Sequence, residues 1–100
     1  MNAFCLTLLC PPAIEEKLLD LLLLASSELV FTSTATAAHG VAAEQLSAAE
    51  QVRGRADATA IQVIVAGEQR AALLGSIREQ FSGTGIRYWL TPIVEAGEIA

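Results

Sequence analysis

The sequence predicts an α+β domain in which strands and helices follow one another as β-α-β-β-α-β, giving a four-stranded antiparallel sheet with two helices on one face. Three observations carry this expectation. Four short runs rich in Val, Ile, Phe and Thr have the composition of strands, and two longer segments place leucines and alanines at helical spacing. The helical segments fall between the first and second runs and between the third and fourth. A polar, alanine-rich stretch from Ala38 to Gly54, too long for a tight hairpin, separates the second run from the third. At 100 residues the chain predicts a single domain, residues 1–100, able to bury an apolar core without disulfides or a structural metal.

The first strand is read as Asn2 to Leu9, ended by Pro11-Pro12, which also favour the start of a helix. That helix is expected from about Ala13 to Ser26. Ile14, Leu18, Leu21, Leu22 and Ala25 form one stripe, and Leu19, Leu23 and Leu24 widen it, so more than the protomer's own sheet should cover this helix. Glu15 and Glu16 sit in its first turn, where the helix dipole favours them. Ser26-Ser27 breaks the pattern, and Glu28 to Ala37 carries β-branched and aromatic residues with many hydroxyls, as an edge strand would. Arg55 to Ala66 is the third strand, with Ile61, Val63 and Val65 on one face and Ala60, Ile64 and Ala66 on the other; Gln62 interrupts the second face. Gly67 to Phe81 is amphipathic, with Leu73, Leu74, Ile77 and Phe81 inward, Arg70, Arg78, Glu79 and Gln80 outward, and Gly83 as its stop. Ile86 to Val94 closes the chain of elements, and Pro92 within it suits an edge.

With right-handed crossovers this order is the split βαβ arrangement of a ferredoxin-like fold, the first and third strands central. The two most continuously apolar strands are those predicted central. Because they are apolar on both faces and helices cover only one, the open face should be buried by other copies of the chain. Composition agrees: 53% of residues are hydrophobic and only 17% charged, so a homo-oligomer is expected.

The formal net charge of -5 opposes a nucleic-acid footprint or an anionic membrane surface as partner. Leu18 to Leu24 is broken by Asp20 and preceded by Glu15, Glu16 and Lys17, well short of a membrane span. Phe4 to Cys10 has neither a preceding positive charge nor small residues before the cysteine, and a cytoplasmic location is expected. Cys5 and Cys10, an odd number of positions apart on one strand, should point to opposite faces and not bridge. They are read first as packed thiols and, in the minority reading, as metal ligands.

Within the long stretch, Ser47-Ala48-Ala49-Glu50 matches a capping box, with Gly54 stopping any helix after about one turn. Either a local turn or a loop that reshapes around a ligand fits this. Arg53-Gly54-Arg55 places two guanidiniums around a glycine, suited to gripping phosphate or carboxylate; ion pairs to Glu50 or Asp57 are the competing reading. His39-Gly40 at the entrance offers a metal ligand or a pH-sensitive group. Gly83-Thr84-Gly85 is a helix stop and turn whose N–H groups suit an anion. Tyr88 and Trp89 face opposite ways, one toward the core and the other toward a subunit interface. One histidine and no Cys-His or Ser-His pairing, metalloprotease motif or P-loop argue against an enzyme.

Leu8-Leu9-Cys10-Pro11-Pro12, His39-Gly40, the run Leu46 to Arg55 and the run Tyr88 to Gly97 together resemble the PII-like superfamily of small trimeric signalling proteins. They are most similar to an uncharacterised bacterial family within it, the domain of unknown function 3240, associated with heavy-metal efflux. The resemblance implies a homotrimer with clefts between subunits and a mobile loop at about 38–54 that docks on a partner such as a heavy-metal efflux transporter or a regulator. It makes His39, Gly40, Ser47, Glu50 and Gln51 candidate docking residues. Arg53, Gly54, Arg55, Gly83, Gly85 and Arg87 become candidate ligands for a small anion. The glycine turn is shorter than in PII proteins, no lysine follows it, and the loop lacks the tyrosine that some of them modify. A nucleotide and a divalent metal are the candidate cofactors. The alternative is a CutA-like divalent metal-binding protein using His39, Cys5 or Cys10.

Overall fold

The computed structural model describes residues 2–25 and 30–100, and its elements follow the expected order. Strand β1 (Ala3–Cys10) leads through a 3-10 turn (Pro12–Ile14) into helix α1 (Glu15–Ala25), then β2 (Phe31–Ala38). A second 3-10 turn (Ala43–Gln45) and a short helix α2 (Ala48–Arg53) precede β3 (Ala56–Ala66). A third 3-10 turn (Gly67–Gln69), helix α3 (Arg70–Phe81) and β4 (Arg87–Ile93) complete the domain. The expected helix end at Ser26, the break at Ser26-Ser27 and the strand start at Glu28 lie outside the described residues.

Several boundaries move for local reasons. β1 runs one residue beyond Leu9 because Cys10 still pairs with Thr59, and the chain is released only at Pro11. The segment from Gly67 opens as a tight 3-10 turn, anchored where the Gly67 N–H donates to the Asn2 carbonyl at 2.8 Å, so regular helix starts at Arg70. β4 is shorter at both ends than Ile86 to Val94, ending where its pairing with Ala3 ends.

The sheet order is β2-β3-β1-β4, all antiparallel, with the two apolar strands central as expected. Register puts Leu6 opposite Val63 and Leu8 opposite Ile61, and all four are buried. Both long helices cover this face: Leu18, Leu21 and Leu22 of α1 and Leu73, Leu74, Ile77 and Phe81 of α3 join the same cluster. Phe31 is the part of β2 that packs against it, while Ser33 and Ala35 stay exposed although they lie on the helix side. That explains a strand whose hydroxyls and small side chains need no core.

Among the described residues, no helix lies on the other face of the sheet. Ile64 and Trp89 lie there 44% and 50% exposed, beside half-buried Cys5, Leu9 and Ile93. Trp89 is therefore the outward member of the aromatic pair. Tyr88 corrects the expectation that the other is core: it lies on the helix side but at the rim, exposed, its hydroxyl accepting a 2.8 Å hydrogen bond from Arg78. Arg78 is exposed, as expected of the outward side of its helix, and its guanidinium lies over the Tyr88 ring, 5.6 Å from its centroid.

Candidate ligand cleft at the loop end of the sheet

Antiparallel pairing brings four chain ends together at one edge of the sheet: Cys10 ending β1, Ala38 ending β2, Ala56 opening β3 and Arg87 opening β4. Between them lies a cleft of about 700 Å³. One wall is the α3–β4 turn, Gly83 to Arg87; the other is the long connection, contributing Val41, Gln45 and Glu50; Pro11, Pro12 and Asp57 also line it.

The connection is built, not loose. Ser47 caps α2 by accepting the Glu50 N–H at 3.2 Å, and the Glu50 carboxylate accepts the Ser47 N–H at 2.9 Å, so the capping box read from sequence is present. Glu50 does more than cap. Its second oxygen accepts the Asp57 N–H at 2.7 Å, tying the short helix to the start of β3. Those two backbone N–H groups, that of Ser47 first, hold the Glu50 carboxyl below its ordinary value, helped by the Ser47 hydroxyl and the Arg53 charge against a smaller desolvation. Gly54 ends the helix at φ +74, where its N–H donates to the Glu50 carbonyl.

The predicted ligand residues divide. Gly83, Gly85 and Arg87 line the cleft, the two glycines at φ +79 and +85, so the turn reverses tightly enough to wall the cavity with backbone. Arg53, Gly54 and Arg55 do not join them. Arg53 donates to both carboxylate oxygens of Asp57, at 3.3 and 3.2 Å, the ion-pair reading of that segment; four residues apart, the two groups meet without any ligand. Gly54 serves as the helix stop, and Arg55 lies outside the cleft lining. Of the predicted docking residues only Glu50 lines the cleft. His39, Gly40, Ser47 and Gln51 lie outside it, Ser47 as the cap and Gln51 with its amide donating to the Leu46 carbonyl at 3.2 Å.

The metal candidates separate as well. Cys10 is buried at the cleft base on the helix side, whereas Cys5 lies on the open face, so the two thiols cannot share one ion within a protomer. Burial, and secondarily the Glu15 carboxylate, push the Cys10 thiol up, which keeps it protonated and a poor ligand. Among the described residues no three His, Cys, Asp or Glu side chains gather as a metal site would require. Sequence reasoning missed Val41 and Gln45 as cleft residues because nothing local to them marks proximity to the turn at Gly83. Asp57 it weighed only as an ion-pair partner.

Over residues 1–100 the chain matches DUF3240, a family of proteins of unknown function. The chain belongs to the DUF3240 family. No curated protein sequence matches it. Among solved structures, it is similar to a DUF3240 protein from Shewanella baltica OS155, with TM-score 0.80 and 19% identity over 100% of this chain and 99% of that one. A nitrogen regulatory PII-like protein, CPII from Thiomonas intermedia K12, solved with ADP, AMP and bicarbonate, gives TM-score 0.74 and 18% identity over 99% and 98% of the two chains. The divalent cation tolerance protein CutA from Archaeoglobus fulgidus gives TM-score 0.62 and 16% identity over 98% and 89%. At such identities the likeness establishes a shared fold: this DUF3240 chain has the ferredoxin-like α+β architecture of PII-like proteins and CutA. Among its described residues no helix is long and apolar enough to cross a membrane.

Proposed function

We propose that this protein is a PII-like homotrimeric regulator, cytoplasmic and without catalytic activity, which binds a small anionic ligand in the loop-end cleft. It signals occupancy through residues 38–54 to a partner such as a heavy-metal efflux transporter. The observation that carries the reading is that one cavity is walled on one side by the Gly83–Arg87 turn and on the other by the long connection. A ligand that fills it touches both. The volume suits a nucleotide-sized ligand, and the turn with Arg87 offers backbone N–H groups and a guanidinium for phosphate. The ADP, AMP and bicarbonate of CPII supply the first ligands to try.

Arg53 and Arg55 enter the site on rearrangement of the loop. The Arg53–Asp57 pair that holds Arg53 away is exposed, and exposed pairs are worth at most about 1 kcal/mol, so an incoming phosphate competes for that guanidinium. The bare apolar sheet face, with Ile64 and Trp89, supports assembly. The CutA-like metal reading has less behind it, since opposed cysteines would require ligands from neighbouring protomers.

Calorimetric titration of the purified protein with ADP, AMP, ATP, bicarbonate, zinc and copper tests this, together with protease digestion of the 38–54 segment. An anion should bind, protect the segment and be recovered intact, and Arg87→Ala should weaken it. No heat and no change in digestion with any of them would end the proposal, and a lone 10.5 kDa species in sedimentation at micromolar concentration would end its trimeric part.

A further inference from the structure

Beyond β4 the chain runs on as Val94-Glu95-Ala96-Gly97-Glu98-Ile99, with Val94 and Ile99 completely bare. The molecule is elongated, 46 × 27 × 20 Å with a radius of gyration of 14.7 Å, against about 13 Å for a compact domain of this length. Two fully exposed aliphatic side chains set among acids are costly to leave in water and are positioned for a surface that is apolar with a positive rim.

Such a surface exists on the helix side of the sheet. A groove of about 320 Å³ lies between α3 and the start of β4, floored by Leu74, Ile77, Phe81 and Ile86 and rimmed by Arg78 and Tyr88. Arg78 uses one N–H on the Tyr88 hydroxyl and forms no ion pair among the described residues. In a chain of net charge -5 it is the arginine that stands beside an apolar groove.

We infer that the 94–99 segment of one protomer docks in the α3–β4 groove of a second copy, with Ile99 on the apolar floor and Glu98 against Arg78. The protomer's own groove is out of reach. It sits at Tyr88, and the segment leaves β4 at Ile93, five residues away, or about 17 Å at ~3.3 Å per residue. Val94 to Ile99 spans that distance only when fully extended, leaving nothing for the reversal. If it turned back as a two-residue hairpin at Val94-Glu95, Ile99 would come level with Leu90, still two residues, or about 7 Å, short of Tyr88. The groove shares Gly83, Gly85 and Ile86 with the ligand cleft, so a seated segment braces that turn from behind. The docking itself does not depend on what the cleft binds.

The test mixes two full-length proteins, both with Cys5→Ser and Cys10→Ala and each shown to be folded by circular dichroism. One carries Ser82→Cys at the groove and the other Ala100→Cys, which leaves Ile99 in place. Mild oxidation should join the two into one covalent species, Arg78→Glu should suppress the joining, and Glu98→Arg added to Arg78→Glu should restore it. A control with Glu68→Cys in place of Ser82→Cys should not join. Absence of the mixed disulfide, joining equal to that of the control, or joining indifferent to Arg78→Glu would each overturn the inference. A segment that seats only on a different protein gives the first of these outcomes.

Discussion

Replacing Thr59 by Val tests how the loop end of the sheet is held to α1. Thr59 is buried, and its hydroxyl donates to the Glu15 carboxylate at 2.6 Å, the short distance of a charge-assisted O–H···O bond. Valine keeps the shape and the β-branching, so what is lost is the hydrogen bond. Bonds to charged groups are worth about 1.5–3 kcal/mol, but Glu15 is half-buried and can recruit water, so about 1–2 kcal/mol is expected. For a domain of this length each kcal/mol lowers the Tm by roughly 4–8 °C. The assay is a double-mutant cycle of Thr59→Val and Glu15→Ala by urea unfolding, at one fixed protein concentration so that any self-association weighs equally on every variant. A coupling of about 1 kcal/mol is expected. A coupling within about 0.3 kcal/mol of zero, the scatter expected of independent sites, would refute the claim that this contact ties α1 to β3.

The Glu50 carboxyl is held below its ordinary value of 4.5, so its contribution to the loop is complete above that pH and is lost as pH falls below it through the lowered value. Protease digestion of residues 38–54 should accelerate across that acid window, and Glu50→Gln should be cut faster at neutral pH and lose the pH dependence. Gly54→Ala forces a Cβ into φ +74 and should destabilise α2 by about 1–2 kcal/mol, read as faster amide exchange from Ala48 to Arg53 without loss of the global fold. Cys10, buried and with its thiol pushed up, should resist iodoacetamide at neutral pH in the native protein and react readily in urea; fast native labelling would contradict its placement.

Strands and helices were legible because they rest on local periodicity: a strand that alternates, or a helix that repeats its leucines, declares its buried face wherever it packs, and the sheet order then followed from the element order with right-handed crossovers. The capping box at Ser47 and Glu50 was legible for the same reason, since both partners lie within four residues. The fate of Arg53 was not. Its fork fits a ligand phosphate and the Asp57 carboxylate equally well, and only the fold, by starting β3 at Ala56, sets Asp57 within reach. Tyr88 misled because a strand's alternation says which face a residue takes, not whether the helix above extends far enough to cover it.

The amino-acid sequence by itself determined an acidic, apolar-rich α+β domain with central strands greasy on both sides and a long connection after the second strand. Only the tertiary structure decided that this connection and the Gly83–Arg87 turn, some 30 residues apart, share one cavity. Local patterns fix how each segment is built. Which chain ends meet across a sheet depends on pairing between strands remote in sequence, and so does the site.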